Sequence, residues 1–212
     1  MLSLLLLLAL PLAAQDSTTE IDNAWVKAQR MKLAPHGKLP ANRHPASVTV
    51  FLTDARERFS GGGAAQASTS KAGQVSYREA ARYGEENLSD QPLEKIVVEL
   101  KPDTPRSHLA PLDRVTLDPV KLDPTHHLVQ FENGRVRVLR TILEPHLKSP
   151  MHEHPHYVVV YLTELHTTMA LADGKIVDNP RHPGEVAWRD FMKHQTENIG
   201  EKQAVEVQIE LK

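Results

Sequence analysis

The chain has 212 residues, 25 Lys and Arg against 27 Asp and Glu, a net charge of −2 and no cysteine. That near-neutral balance, without a basic run, excludes the electrostatic footprint of a nucleic-acid partner. The missing thiols exclude disulfides and thiolate-bound metals, so any metal here relies on His, Asp, Glu or water. The length leaves room for one large domain or two small ones. Fifteen prolines against ten glycines, with few helical periods, point to a β-rich chain full of turns.

In chain order, Leu2 to Leu12 is an apolar run broken by Ser3 and followed by Ala13-Ala14-Gln15-Asp16. This reads as a secretory leader over 1–14, too short for a comfortable membrane span, although no Lys or Arg precedes it. The mature chain is then expected to begin near Gln15, in a periplasm or outside the cell. No later segment reads as a membrane span.

From residue 15 the chain runs through one pattern and then repeats it. Asn23-Ala-Trp-Val26 returns as Asn133-Gly-Arg-Val136, and Arg30 as Arg140. Leu33-Ala-Pro-His36 returns as Leu143-Glu-Pro-His146, His44-Pro45 as His154-Pro155, and Val48 to Thr53 as Val158 to Thr163, all 110 residues on. Past a variable hairpin the interval becomes 111, with Gly73 to Arg78 matching Gly184 to Arg189, Glu86-Asn87 matching Glu197-Asn198, and Glu99 to Lys101 matching Glu210 to Lys212. The two halves are duplicates. They occupy 15–101 and 125–212, and the five prolines at 102, 105, 111, 119 and 124 mark 102–124 as an extended linker between them.

Each half reads as β. Arg135 to Arg140 alternates polar and apolar, as a half-buried strand does, and Tyr157 to Leu162 is continuously apolar, as a fully buried one is. Leu165 to Leu171 and Lys175 to Val177 flank an Asp173-Gly174 hairpin signal, with Gly61-Gly62-Gly63 at the matching place in the first half. Gly184 to Trp188 and Ala204 to Leu211 complete the strands. Trp188 and Tyr77, at matched positions, are read as core or pocket-wall aromatics.

His152 and His154 stand two apart at the start of a strand, so their imidazoles share one face. Paired imidazoles are a common way to hold a transition metal. His194 follows after a hairpin-length interval, and His156 keeps the parity of the pair although Pro155 intervenes. Glu153 has the opposite parity and is expected to face outward. His126, His127, His166 and His182 have no useful spacing and read as surface or loop residues. Where the second half has His152, His154 and His194, the first has Asn42, His44 and Tyr83, so a metal is expected in the second half alone. Residues kept in both halves, such as Asn87 and Asn198, Arg30 and Arg140, or His36 and His146, are better explained by the fold.

His152-Glu-His154 resembles the H-x-H of the first cupin motif, and His194-Gln-Thr-Glu-Asn198 the H-x3-N of the second. His146 stands where the first motif has glycine, its Glu falls at Val158 or Val159, and Arg189 and Phe191 replace the Pro and Gly of the second. The resemblance implies an all-β chain of two tandem cupin-type double-stranded β-helix (jelly-roll) barrels, the N-terminal copy degenerate. It also implies a divalent transition metal (Fe, Zn, Mn, Ni or Cu) on His152, His154 and His194, with His156 or water as the fourth ligand. A small-molecule ligand, a dioxygenase-like or isomerase-like reaction with Glu197 as an acid–base candidate, and barrels paired as an intramolecular pseudo-dimer follow as expectations. The pairing is compatible with a homodimer. A non-catalytic module that captures a small molecule or metal, and a metal-free structural protein, fit the same residues.

Overall fold

The computed structural model describes residues 15–61, 64–101 and 112–212. The leader expected over 1–14, two of the three glycines at 61–63 and most of the first half of the linker lie outside the described residues. Eighteen antiparallel strands fill the described chain, nine in each half. The first half has β1 (Gln15–Asp22), β2 (Val26–Leu33), β3 (Lys38–His44), β4 (Ser47–Phe51), β5 (Ala55–Ser60), β6 (Gln66–Ser70), β7 (Val75–Arg78), β8 (Ala81–Asn87) and β9 (Leu93–Leu100). The second has β10 (His127–Glu132), β11 (Val136–Leu143), β12 (His152–His154), β13 (Tyr157–Tyr161), β14 (Leu165–Leu171), β15 (Ile176–Arg181), β16 (Val186–Arg189), β17 (Met192–Asn198) and β18 (Ala204–Leu211).

The repeat in sequence is a repeat in topology. One five-stranded sheet runs β1-β2-β9-β4-β7 and its counterpart β10-β11-β18-β13-β16, while the four-stranded sheets run β3-β8-β5-β6 and β12-β17-β14-β15. Each half is a two-sheet barrel of cupin type. The two five-stranded sheets pack face to face. Val26, Val48, Val50, Ile96 and Val98 of the first half share one core with Val136, Val138, Val158, Val160 and Ile209 of the second. Burying each such side chain contributes roughly 1.5–3 kcal/mol.

This packing explains why Tyr157 to Tyr161 is apolar throughout. Val158 and Val160 enter the shared core, and Tyr157, Val159 and Tyr161 turn inward against Leu143, Leu165 and Ala204. It also corrects one expectation. The alternation at 135–140 is not that of a strand with one wet face, since Val136, Arg137, Val138 and Leu139 are all buried. The polar side of β11 looks into the barrel lumen, where Arg137 pairs with Glu210 at 2.5 Å and with Asp118 at 3.1 Å.

Residues kept in both halves hold the backbone. His36 and His146 occupy left-handed conformations with φ of 56° and 61°, the backbone that suits the glycine of the cupin motif at the place of His146. The buried Asn87 amide donates to Leu33 O, Ala34 O and Gln91 O, and the buried Asn198 amide to Leu143 O, Glu144 O and Lys202 O. Between the barrels, Arg30 donates to Gly184 O at 2.5 Å while Arg140 donates to Gly73 O. Trp25 stacks on Trp188 and Tyr77 on Phe131, each pair joining one half to the other.

The second part of the linker is not extended. Leu112–Arg114 makes a 3-10 turn and Pro119–Leu122 a short helix, α1. Asp118 caps α1 by accepting from Val120 N, with Pro119 at the first position, where its missing N–H costs nothing. Glu153 lies on the face opposite His152 and His154, as its parity predicts, yet it is buried. Its carboxylate accepts from Thr116 N at 2.8 Å and Thr116 Oγ1 at 2.9 Å, strapping the linker to β12.

Asn198→Ala removes the amide that donates to Leu143 O, Glu144 O and Lys202 O, and Asn87→Ala does the same to Leu33 O, Ala34 O and Gln91 O. Each is expected to lower the unfolding free energy by about 3 kcal/mol or more in urea titrations, with similar values for both. A loss confined to one half would contradict an equivalent structural role.

Candidate metal centre

β12 lies antiparallel to β17 with His152 directly opposite His194. The two-residue spacing puts His154 on the same lumen-facing side as His152. The fourth imidazole is His127, the first residue of β10, carried in by the linker turn that precedes it. His127, His152, His154 and His194 are 2%, 2%, 0% and 3% exposed, so the reading of His127 as a surface or loop residue is corrected. His166 and His182 do lie on the surface beside Glu164, and His126 pairs with Asp123.

One nitrogen from each of His127, His152 and His154 lies within 4.8 Å of the other two, so these three buried histidines can hold a metal ion. The His194 ring centroid is 4.5 Å from that of His152 and 5.4 Å from that of His154. His156 stands apart from this group. Pro155 turns its ring to the junction of the barrels, where it stacks on Trp25 and Trp188, with Nδ1 3.3 Å from Asp190.

The surroundings fix which nitrogen each ring presents. His152 Nδ1 is 2.8 Å from Pro150 O, His154 Nδ1 2.7 Å from Glu210 Oε1, and His127 Nδ1 3.4 Å from Asp123 O. Each acceptor selects the Nδ1–H tautomer and leaves the Nε2 lone pair free, as partners behind metal-binding imidazoles do. His154 Nε2 and His194 Nδ1 are buried without a hydrogen-bond partner. Behind His154 runs a chain of charge, Asp118 to Arg137 to Glu210, that keeps this tautomer in place.

Burial, and then the neighbouring imidazoles, hold His154 and His194 well below the usual histidine range. Burial followed by the His152 charge takes His127 down to about 4, and burial lowers His152. At neutral pH all four rings are uncharged, the state a metal requires.

His127, His152 and His194 border a cavity of about 20 Å³, room for about one water molecule. Val159 also faces it, so the side chain at that position cannot supply the carboxylate of the family motif. Glu197, the acid–base candidate of the sequence reading, lies on the outward side of β17 and meets Lys148 at 3.3 Å. The carboxylate that does reach the cavity is Glu206, on the inward side of β18 with Gln208 and Glu210. Burial pushes it up to about 7, against the lowering effect of the 2.7 Å bond from Gln208 and of Arg189 and Arg181. A carboxyl poised near neutrality beside a candidate metal site can exchange a proton in either direction. Arg189, opposite, donates to Tyr161 Oη and Asn179 Oδ1, both at 3.2 Å.

The same places in the first barrel hold Ser17, Asn42, His44 and Tyr83. His44 stacks on Tyr83 with centroids 4.1 Å apart. That lumen keeps a cavity of about 230 Å³, and Lys95 in its wall is bound to Glu57 at 2.5 Å and Glu85 at 2.7 Å.

No family model and no curated protein matches the chain. Among solved structures, it is similar to AerE from Microcystis aeruginosa, with a TM-score of 0.65, 13% identity and 88% of each chain covered. It is also similar to the cupin 2 conserved barrel domain protein from Leptotrichia buccalis, with a TM-score of 0.57, 11% identity, and 94% of this chain and 90% of that one covered. A third neighbour is Bacillus subtilis oxalate decarboxylase, a protein with Mn(II) centres, with a TM-score of 0.60, 13% identity, and 92% of this chain and 72% of that one covered. At such identities the likeness shows the fold, which is that of tandem cupin-type barrels.

The raised Glu206 pKa sets a pH dependence. Between about 4.5 and about 7 the folded state keeps a proton that the unfolded state releases, so the native carboxyl costs stability as pH rises through that window. Glu206→Gln carries no such cost. Its stability relative to the parent is expected to be ~2–3 kcal/mol more favourable at pH 8 than at pH 4, measured by urea unfolding. A pH-independent difference would show a carboxyl that ionises as it does in water.

Proposed function

We propose that the chain is an exported metalloprotein that holds one divalent transition metal in its second barrel and there transforms a small molecule by a dioxygenase-type or isomerase-type reaction. One observation carries this reading: three buried imidazoles bring one nitrogen each within 4.8 Å of one another, and the Nδ1 atom of each is turned to an acceptor, which leaves its Nε2 lone pair free. In this proposal His127, His152 and His154 are ligands and His194 is the fourth imidazole, on the cavity side. His156 has no part in it. An all-imidazole set suits Fe, Ni, Cu or Zn better than Mn, which favours carboxylate and water oxygens.

Bound there, the metal would supply a Lewis acid and, where redox-active, a site for dioxygen. The chain's own residues provide the rest. Glu210 and Pro150 O hold the His154 and His152 rings in place. Glu206 is the group placed to take up or release a proton at the cavity. Arg189, fixed by Tyr161 and Asn179, offers positive charge on the opposite wall. The apolar side chains of Val159, Leu143 and Leu165 keep bulk water out, which strengthens each of these electrostatic effects.

The closed cavity favours a second reading, in which the barrel captures its metal without turnover. About 20 Å³ admits a water- or dioxygen-sized species but no organic substrate unless the lumen opens.

The test is metal content by plasma mass spectrometry on mature chain purified without chelator or polyhistidine tag. About one equivalent of a transition metal is expected, with most of it lost in His127→Ala, His152→Ala, His154→Ala and His194→Ala. A parent protein with no more metal than these variants, even after reloading with Fe, Ni, Cu or Zn, would overturn the metal centre. Retention in His127→Ala together with loss in the other three would return the site to the motif histidines.

A further inference from the structure

The duplicated arginines at the barrel junction differ in one respect. Arg30 has every side-chain nitrogen engaged: Nε on Glu20 at 2.7 Å, Nη1 on Glu94 at 2.8 Å and Nη2 on Gly184 O. Arg140 keeps the third of these bonds, to Gly73 O, and has lost the acids. The position matching Glu20 is Gln130, whose amide oxygen stands 3.5 Å from Nε, and the position matching Glu94 is Val205. Both Glu20 and Gln130 sit at a register shift between the first two strands of their half, so the backbone aims the two side chains alike. Among the described residues no carboxylate pairs with Arg140.

Arg140 also faces open space. A cleft of about 440 Å³ lies on the approximate two-fold relation between the barrels, lined by Arg30 and Arg140, Leu52 and Leu162, and Gly73 and Gly184. Both glycines have positive φ, 80° and 84°, which disfavours a side chain there, and a Cβ at Gly184 would also meet Arg30 Nη1 at 3.2 Å. The Arg140 end is walled by Leu162 and Val205. Burial disfavours the charge on both guanidiniums. Glu20 and Glu94 outweigh it at Arg30, while at Arg140 nothing does.

We propose that this cleft binds a small organic carboxylate, held on the Nη1 hydrogens of Arg140, with its hydrocarbon body against Leu162 and Val205. The ligand's carboxylate does for Arg140 what Glu94 does for Arg30. A guanidinium nitrogen without an acid partner favours a carboxylate over a neutral group, and apolar walls beside it select one with a hydrocarbon body over a fully hydrated inorganic ion. The site lies outside both lumens and owes nothing to a metal.

Isothermal titration of the full chain with sodium hexanoate tests this, with hexanol and inorganic phosphate as comparisons. Saturable binding of hexanoate at one site is expected, with hexanol and phosphate much weaker. Val205→Glu supplies the missing acid from within the chain, so it is expected to weaken hexanoate binding by about tenfold or more while raising Tm. Arg140→Gln should also abolish binding, and where its lost bond to Gly73 O unfolds the protein, Val205→Glu alone decides. Hexanoate binding no tighter than hexanol, or unchanged in Val205→Glu, overturns the site. Phosphate binding tighter than hexanoate and lost in Val205→Glu overturns the choice of an organic carboxylate.

Discussion

Everything in this molecule follows from the burial of both faces of the two five-stranded sheets. One face of each packs on the other barrel through valines and isoleucines, and the opposite face closes a lumen. Polar side chains on that second face are therefore largely withdrawn from water, most completely in the second half. A lone buried charge costs several kcal/mol, so each must find a partner inside. Arg137 lies between Asp118 and Glu210, and Lys95 between Glu57 and Glu85. The groups left without partners, His154 Nε2 above all, stand out against this background of pairing.

The same frame carries opposite chemistry in its two copies. Lys95, Glu57 and Glu85 in the first lumen correspond to Glu206, Thr167 and Thr196 in the second. The first barrel sets an ion triad in the wall of an open cavity. The second removes two of those acids, keeps the imidazole of His44 as His154, and adds three more where the first has Ser17, Asn42 and Tyr83. What both retain is the backbone apparatus: the asparagine that gathers three carbonyls, the left-handed histidine, and the arginine on the other barrel's glycine carbonyl. Duplication thus separates residues that make the barrel from residues that make the site.

Much of this was legible in the chain. The repeat, the buried strand at 157–161, the Asp173-Gly174 hairpin and the shared face of His152 and His154 all follow from spacing and side-chain type. His127 was not, because it lies on a different strand with no local partner. The one available signal was its match to Ser17, a position that changes between the halves as the other lumen positions do. Glu206 was hidden by a physical ambiguity. In Ala204 to Leu211 polar residues alternate with apolar ones as they do on a wet strand, and a sequence pattern cannot distinguish a lumen from bulk water. The linker prolines read as extended chain, although Asp118 followed by Pro119 already carried the signature of a helix start.

The four-imidazole cluster is, without a metal, a local cost to the fold. An unpartnered buried nitrogen forfeits roughly 1–3 kcal/mol of solvation, and neutral rings in contact offer one another little in return. The barrel tolerates this because the shared core and the strapped linker hold β10, β12 and β17 in place whether or not the rings are satisfied. That rigidity is also what a selective metal site needs, since rings already locked by Glu210 and Pro150 O lose little freedom when a cation arrives. The degenerate barrel then has a physical role independent of any ligand of its own. It supplies half of the apolar core against which the second barrel's sheet is buried, and without that half the dry face of β13 and β18 would be exposed to water.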